Sequence, residues 1–300
     1  MLSEESTETF EYPPPPLVSN QADLPRHLGG GGVHPDNPPW GIWQALLTWG
    51  LSMLLLLFVP AIFSLPYILY RYPGVPLNRE ILINDKTFLL INVLCFIPIH
   101  LLTLLLAWAV VTQLRRYNFW TTIGWSWPAN LGPWKSGGLA VLLFGLALVL
   151  TALLPGEETD IERIVQSSRA AAFTLAIMAV ATAPLVEELV YRGVLYSAFR
   201  RAIGATWTVV LVSVLFAAGH VYQYRNNLGV ISAIVLLSVV LTLVRARTGR
   251  LLPCFIIHLV FNGIQSIGIV AAPYLRALDS GGEQPAASIL MIFRVLLRVA

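Results

Sequence analysis

Long apolar stretches alternate with short polar ones along this 300-residue chain, without the short periods that mark the helices and strands of soluble proteins. Several stretches exceed the roughly 18 apolar residues that indicate a helix crossing a bilayer. The predicted spans are Ile42–Leu69, Thr87–Leu114, Ser136–Leu154, Ala170–Phe199, Trp207–Tyr222, Leu228–Val244 and Leu251–Ala272. A shorter last stretch, Ala286–Ala300, carries Arg294 and Arg298 and predicts either an eighth span, which we favour, or an interfacial helix. The pattern predicts an all-α polytopic membrane protein with about seven or eight transmembrane helices in a bundle.

The same pattern divides the chain into four regions. Residues 1–40 predict a disordered acidic tail, because they are rich in proline and glycine and contain no apolar stretch. Residues 41–165 hold the N-terminal transmembrane helices, residues 166–275 the helices with candidate chemistry, and residues 276–300 the last span or interfacial helix. The tail has no basic segment followed by an apolar core, so we expect the first span itself to direct membrane insertion.

Composition supports a membrane protein and argues against a nucleic-acid-binding one. Apolar residues make up 56% of the chain and charged residues 12%, and the mean hydropathy of +0.71 exceeds that of ordinary soluble domains. The basic residues are scattered through short loops and form no continuous face, so we predict no nucleic-acid partner. The two cysteines, Cys95 and Cys254, both fall inside predicted spans, which argues against a structural disulfide.

The charged residues of the loops predict the orientation in the membrane. Lysine and arginine concentrate after the second, fourth and sixth spans, at Arg115, Arg116, Lys135, Arg200, Arg201, Arg245, Arg247 and Arg250. The loop after the third span is instead acidic, with Glu157, Glu158, Asp160 and Glu162. The positive-inside rule then places the basic loops and the N-terminus in the cytoplasm, and we expect the membrane to be a bacterial inner membrane.

Ionisable residues interrupt three of the predicted spans. The fourth carries Glu187-Glu188-Leu-Val-Tyr-Arg192, the fifth Phe216-Ala-Ala-Gly-His220, and the seventh His258-Leu-Val-Phe-Asn262. A charged residue at the bilayer centre costs about 2.5–3.5 kcal/mol on insertion scales, so such residues are kept where they face protein or water and serve a function. At a rise of 1.5 Å per residue, all three groups fall within a hydrocarbon core about 30 Å thick. We therefore predict that they form one intramembrane site.

Helical spacing predicts different surroundings for the two glutamates. Glu188 and Arg192 are four residues apart and share one helix face, so an ion pair between them would lower the cost of burying both charges. Glu187 points about 100° away and is left free to act as a general base or acid. Pro184 stands just before the pair and is expected to loosen the helix there. In the fifth span, Gly219 leaves room for the close approach of a neighbouring side chain.

The three groups contain what peptide hydrolysis requires. Glu187, helped by His220, is a candidate base for activating water. Asn262 and His258 are candidate donors to the tetrahedral oxyanion. Zinc held by His220, His258 and a carboxylate is an alternative, because two histidines and one carboxylate can form an open catalytic site. A purely structural polar network is a third interpretation, and we interpret His100 in the second span as a helix–helix hydrogen-bonding group.

These motifs, in this order, resemble the CPBP family, also called the CAAX protease and bacteriocin-processing or Abi family. The family pattern is Glu-Glu-x-x-x-Arg, then Phe-x-x-x-His, then His-x-x-x-Asn, and the chain completes it within about residues 170–272. The resemblance implies an eight-helix membrane endopeptidase. It implies that water is activated by Glu187 and His220, that the oxyanion is held by His258 and Asn262, and that the supporting residues are Glu188, Arg192 and Phe216.

The resemblance also bears on cofactor and partners. Family members include a prenyl endopeptidase that removes the last three residues of prenylated proteins, so the implied substrate is a membrane-embedded peptide or a lipidated protein. Members are commonly labelled metalloproteases, while a metal-free glutamate mechanism is argued for the prenyl endopeptidase, so the cofactor is one zinc ion, on His220 and His258, or none. Two alternatives use the polar cluster only for binding, a transporter and a non-catalytic membrane scaffold. The tail is a candidate binding segment for a cytoplasmic partner.

Overall fold

The computed structural model describes residues 34–154 and 156–280, with side chains described as far as Ala271. This part of the chain is helical apart from its loops and one isolated bridge between Gly156 and Asn227. The helices are α1 Ile42–Arg71, α2 Arg79–Ile83, α3 Lys86–Leu94, α4 Phe96–Thr112, α5 Phe119–Thr122, α6 Pro133–Leu153, α7 Asp160–Ser167, α8 Arg169–Ala181, α9 Ala183–Glu187, a π-helix Glu188–Leu195, α10 Tyr196–Tyr224, α11 Leu228–Thr248 and α12 Leu252–Ser280.

Six helical stretches are long and apolar enough to cross a membrane, which confirms the all-α polytopic fold. They are Ile42–Arg71, Lys86–Thr112, Pro133–Leu153, Arg169–Tyr224, Leu228–Thr248 and Leu252–Ala271. The chain is thus an integral, multi-pass membrane protein. The eighth stretch predicted at residues 286–300 lies outside the described residues.

The stretch Arg169–Tyr224 contains two crossings. Its 56 residues would extend about 84 Å as a straight helix, far more than a hydrocarbon core of about 30 Å. At Gly204 the backbone leaves the helical region, with φ 76° and ψ 172°, which glycine adopts without steric strain. The rings of Tyr191 and Phe216 consequently lie 5.1 Å apart, although 25 residues of straight helix would separate them by about 37 Å. Gly204 therefore joins two antiparallel spans, as the sequence predicted.

The loops gather at two ends of the bundle. At one end, Asp36 forms ion pairs with Arg200 at 2.7 Å and with Arg245 at 3.0 Å. The basic loop after α4 reaches the same end, because the N–H of Leu251 donates to the carbonyl of Gly124 at 3.0 Å. We call this the basic end. The predicted grouping of the basic loops is thus confirmed, while their cytoplasmic location stays a prediction.

The opposite end, which we call the acidic end, carries the loop between the third and fourth spans. Arg79 pairs there with Asp160 at 2.6 Å, and Asn226 donates to Glu157 at 2.9 Å. Helix α7 belongs to this end and begins with a capping box, in which Thr159 and Glu162 bond each other's backbone N–H.

The segment directly before α1 is packed against the helices, whereas the sequence predicted a disordered tail as far as residue 40. The indole of Trp40 is 1% exposed and donates from Nε1 to the carbonyl of Val194 at 3.1 Å. Asp36 is anchored by the two ion pairs just described. The sequence missed this segment because a single tryptophan and a single aspartate among prolines and glycines produce no periodic signal. Residues 1–33 lie outside the described residues.

The largest buried apolar cluster surrounds the π-helix. Its members include Trp40, Ala45, Val111, Leu189, Val190, Val194, Leu195, Val212, Phe216 and Leu251. The helices that supply them, α1, α4, α10 and the start of α12, therefore enclose the segment that carries the glutamates. Apolar side chains of α1 such as Leu57, Phe58 and Ile62 are exposed on the outer surface, where lipid would cover them.

Candidate active site

The fourth span is broken where it carries the glutamates. Helix α8 ends at Ala181, Thr182 separates it from the next helix with φ −114° and ψ −38°, and α9 begins with Pro184 in its first turn. A π-helix with wider turns follows from Glu188, and all of its side chains are buried. Such π segments are rare and frequently occur at functional sites. The predicted loosening at Pro184 is confirmed, and Glu187 lies at the junction between α9 and the π-helix.

Glu188 and Arg192 form the predicted ion pair in complete isolation from solvent. Oε1 of Glu188 lies 2.9 Å from Nη1 of Arg192, and both side chains are 0% exposed. The guanidinium also donates to the hydroxyl of Thr242 at 3.3 Å and to the hydroxyl and carbonyl of Ser238 at 2.9 and 3.1 Å. Helix α11 thus supplies acceptors to Arg192, whereas Oε2 of Glu188 is buried without a hydrogen-bond partner among the described residues.

The ring of Phe216 connects the three motifs. The guanidinium of Arg192 lies over it at 4.5 Å from the centroid, a cation–π contact. His220 stacks on it at 4.8 Å, and the rings of Tyr191 and His258 approach it at 5.1 and 6.1 Å. Phe216 therefore acts as a packing centre that fixes both histidines relative to the ion pair.

His258 contacts both glutamates, which corrects the predicted separation of their roles. Its Nδ1 lies 2.8 Å from Oε1 of Glu188, and its Nε2 lies 3.6 Å from Oε2 of Glu187. Glu188 thus binds Arg192 and His258 through the same oxygen, and Glu187 has a neighbour rather than standing free. Oε1 of Glu188 accepts from Arg192, so Nδ1 of His258 is the donor in its contact with the same oxygen. Nε2 is the nitrogen that faces Glu187.

His220 is oriented by its own helix. Nδ1 lies 2.9 Å from the carbonyl oxygen of Phe216, which only accepts, so Nδ1 carries the proton of the neutral ring. Nε2 is then an acceptor and is left for the cavity. One turn of α10 thus positions both the imidazole and the aromatic ring on which it stacks.

Asn262 and His100 hold the broken part of the fourth span. The side-chain amide of Asn262 donates to the carbonyl of Ala179 at 3.0 Å, near the end of α8. Nδ1 of His100 is 2.7 Å from the hydroxyl of Thr182, at the break itself. The prediction that His100 forms a helix–helix hydrogen bond is confirmed. Asn262 keeps its second amide hydrogen and its side-chain oxygen for another partner.

Glu187, His220, His258 and Asn262 line one cavity of about 560 Å³, so the structure brings the four predicted catalytic residues together. This volume is typical of a ligand site. The side chain of Glu187 is 25% exposed, in contrast to the fully buried Glu188. Apolar residues dominate the remaining lining, among them Met53, Leu56, Ile99, Met178, Val186, Val190, Leu237 and Phe261.

Two side chains near the site were missed or misinterpreted from sequence. Tyr191 accepts a hydrogen bond from Nε1 of Trp49 at 3.2 Å, and a Cβ at Gly219 would lie 3.3 Å from its hydroxyl, so the neighbour that Gly219 admits is Tyr191. Arg245, interpreted as a loop cation, is fully buried and donates from Nε to the carbonyl of Arg192 at 3.1 Å. Nothing in the local sequence distinguishes it from the exposed Arg247 and the half-buried Arg250 that follow.

The donor atoms of the site were compared with the arrangement that a metal ion needs. Within residues 34–154 and 156–280, no three His, Cys, Asp or Glu side chains are placed to hold one metal ion. The contact between Nδ1 of His258 and Glu188 contains a proton, so neither atom is free to act as a ligand. A zinc ion on His220 and His258 would require a different arrangement of these side chains.

These features define a class of protein: a polytopic helical membrane protein in which a buried Glu–Arg–His cluster faces a cavity. A family model described as type II CAAX prenyl endopeptidase, Rce1-like, matches residues 169–264, which include all three motifs. The CPBP resemblance is thereby confirmed for this segment. An uncharacterised 24.3 kDa protein of Escherichia coli is 32% identical over 134 residues, which cover 43% of this chain and 61% of that protein. No solved structure matches the chain.

Proposed function

We propose that the protein is an intramembrane endopeptidase that hydrolyses peptide bonds of membrane-associated polypeptides. The observation that carries the proposal is the contrast between the two glutamates. Glu188 is fully buried against Arg192, whereas the neighbouring Glu187 is partly exposed to a cavity that His220 and His258 also line. A carboxylate that reaches a cavity beside an acceptor nitrogen is suited to activate water.

In the proposed reaction, a water molecule lies between Glu187 and Nε2 of His220. One proton of the water passes to Glu187 while the water oxygen bonds to the scissile carbonyl carbon. The carbonyl oxygen thereby becomes an oxyanion. Asn262 donates its second amide hydrogen to this oxygen, since its first is bound by Ala179. The proton from water is finally delivered to the leaving nitrogen as the carbon–nitrogen bond breaks.

The contacts of His258 indicate at which step of the proposed reaction it can donate a hydrogen bond. Because Nδ1 already donates to Glu188, the ring can donate to an oxyanion only through Nε2, which must first take up a proton. Nε2 lies 3.6 Å from Oε2 of Glu187, so the proton that Glu187 takes from water has a short path to it. His258 then becomes a donor at the stage when the oxyanion forms, and Glu188 balances its charge.

The test is cleavage of a panel of quenched, membrane-associated peptides by the purified protein in liposomes. Glu187→Gln and His220→Ala should each lower the rate at least about 100-fold, the usual contribution of a general base. Ser52→Ala is the matched control, because Ser52 lines the same cavity and its hydroxyl donates to the carbonyl of Thr48 within its own helix. Equal cleavage by the wild type and Glu187→Gln would refute the mechanism.

Treatment with a chelator distinguishes the metal-free glutamate mechanism from a zinc-dependent one. Because the donor arrangement holds no three-ligand site among the described residues, we expect cleavage to survive a strong chelator. Loss of cleavage with chelator and its return with zinc would instead favour the metal version. If peptides crosslink equally to the wild type and Glu187→Gln and neither cleaves them, the binding alternatives, scaffold or transporter, would be favoured.

A further inference from the structure

The backbone of the π-helix is bonded by side chains of two other elements. Nε of Arg245, on α11, donates to the carbonyl of Arg192 at 3.1 Å, and Nε1 of Trp40, before α1, donates to the carbonyl of Val194 at 3.1 Å. A carbonyl oxygen has two lone pairs, so it can accept such a bond in addition to one within its own helix. The segment that follows the glutamates is therefore anchored to its surroundings through its backbone as well as through its side chains.

Helix α11 binds Arg192 at two points. Ser238 and Thr242 accept hydrogen bonds from the guanidinium of Arg192, whereas Arg245 donates to its backbone carbonyl. Ser238, Thr242 and Arg245 are spaced four and three residues apart, so they share one face of α11. That face thus fixes both the backbone and the side chain of the residue that pairs with Glu188 at 2.9 Å.

The segment before α1 completes the surroundings of Arg245. Nη1 lies 3.0 Å from the carboxylate of Asp36, and Nη2 donates to the carbonyl of Pro35 at 3.1 Å and to the hydroxyl of Ser197 at 3.0 Å. The guanidinium also lies over the ring of Tyr196, 5.2 Å from its centroid. All three nitrogens of this fully buried side chain donate, so the planar fork of Arg245 has a single position.

The direction in which the two glutamates point depends on the turns of the π-helix. A regular α-helix turns by about 100° per residue, whereas a π-helix has wider turns. Conversion of this segment to α-helical geometry would therefore rotate Glu187 and Glu188 about the helix axis relative to Arg192. The contacts of these carboxylates with His258, at 3.6 and 2.8 Å, would not survive such a rotation. The bond from Arg245 fixes the backbone on one side of the segment that would rotate.

We propose that Arg245, held by Asp36, is a positioning residue for the hydrolytic reaction, because it fixes the π-helix and thereby the contact between Glu188 and His258. Its role in the reaction rests on the proposed endopeptidase function, whereas its effect on His258 does not. Arg245 lies outside the lining of the cavity, so it acts through Arg192 and not on the substrate. A misplacement of about 1 Å caused far from the chemistry can slow a reaction about 100-fold.

The kinetic test compares Arg245→Lys with Arg247→Lys in the peptide cleavage assay. Lysine keeps the positive charge but replaces the planar fork with one ammonium, so it cannot make the same set of bonds. We expect kcat of Arg245→Lys to fall about 10- to 100-fold while KM changes less than about threefold, since the substrate contacts remain. Arg247→Lys is the matched control, because Arg247 is exposed two residues further along α11 and should keep the wild-type kcat. A loss of kcat equal to that of the control, or a change confined to KM, would overturn the positioning role.

The effect on His258 is measured without cleavage, by NMR of the full chain in detergent with its histidines labelled with ¹⁵N. The Nδ1–H of His258 lies 2.8 Å from Glu188 and should give a hydrogen-bonded proton signal, assigned by its absence from His258→Gln. We expect this signal to be unchanged in Arg247→Lys and to shift or vanish in Arg245→Lys. An unchanged signal in Arg245→Lys would overturn the proposal. A shifted signal in a protein whose wild type cleaves no peptide would mean that the coupling stands and the endopeptidase function fails.

Asp36→Asn carries the same two measurements if Arg245→Lys does not fold. It removes the counter-ion of Arg245 but leaves the bonds of the guanidinium to Pro35 and Ser197 available. We expect a smaller loss of kcat and a smaller shift of the His258 signal, in the same directions as for Arg245→Lys. Wild-type kcat together with an unchanged signal in Asp36→Asn would overturn the part assigned to the segment before α1.

Discussion

The Arg192→Gln substitution removes the cation at the centre of the buried network. The guanidinium forms an ion pair with Glu188 at 2.9 Å, three hydrogen bonds to Ser238 and Thr242, and a cation–π contact. Breaking a fully buried pair by removing one partner costs about 3–5 kcal/mol, because the other charge stays buried without compensation. Arg192→Gln should therefore be strongly destabilising.

The two glutamates should respond differently. Glu188→Gln keeps the shape but weakens charge-assisted bonds to Arg192 and His258, each worth about 1.5–3 kcal/mol. Glu187→Gln changes a partly exposed group whose neighbour, Nε2 of His258, is 3.6 Å away, so its cost should be at most about 1 kcal/mol. Arg192→Gln and Glu188→Gln should thus each destabilise the protein more than Glu187→Gln.

Thermal unfolding in detergent, followed by helical signal and by retention of soluble monomer, measures this order. The double variant Glu188→Gln/Arg192→Gln adds an internal control, because directly contacting residues show coupling of about 0.5–3 kcal/mol. Its loss of stability should be clearly smaller than the sum of the two single losses. Additive losses, or a larger loss for Glu187→Gln than for Glu188→Gln, would refute the assignment of Glu188 as the structural partner of Arg192.

Two further predictions concern the ends of the bundle. Trp40→Phe should lower stability by about 1–3 kcal/mol in the same melts, because it leaves the buried carbonyl of Val194 without its donor. Trp43→Phe is the control, since Trp43 is 83% exposed and should tolerate the change; equal losses would contradict the packed role of Trp40. Burial opposes ionisation of Asp85 in the loop before α3, but hydrogen bonds from two tyrosine hydroxyls and two backbone N–H groups outweigh it and lower its pKa. This stability is present above the unfolded pKa of about 3.9 and is lost as the pH falls through the folded value, so Asp85→Asn should weaken the protein at pH 6 and reduce its loss of stability on acidification to pH 3. An unchanged difference between melts at the two pH values would contradict this reasoning.

Local patterns in the sequence were sufficient for the spans, including the division of the fourth span from the fifth, and for the pair of Glu188 and Arg192. Each depends on residues that are close in the chain, such as an apolar run, a glycine between two runs, or a spacing of four on one helix. The motifs also identified which residues would share a cavity. Glutamate, arginine and histidine side chains are too costly to bury separately in lipid, so they were expected to lie together.

The missed features depend on contacts between distant segments. Arg245 is buried because Asp36, Ser197 and the carbonyl of Arg192 come to it from three different elements. An arginine near the end of a span is equally compatible with a side chain that extends to the membrane surface. The sequence alone therefore does not indicate that Arg245 is buried. The π-helix has no sequence signature of its own, since it is defined by the packing of its neighbours.

The adjacency of the two glutamates has a physical explanation in the geometry of His258. Consecutive residues on a helix point about 100° apart, so Glu187 and Glu188 cannot face the same group through the same side. The two nitrogens of one imidazole are also directed apart, and here Nδ1 meets Glu188 at 2.8 Å while Nε2 meets Glu187 at 3.6 Å. A spacing of four then brings Arg192 back to Glu188 rather than to Glu187. The structural ion pair therefore orients the histidine whose other nitrogen faces the proposed base, and the stability of the network and the geometry of the site rest on the same carboxylate.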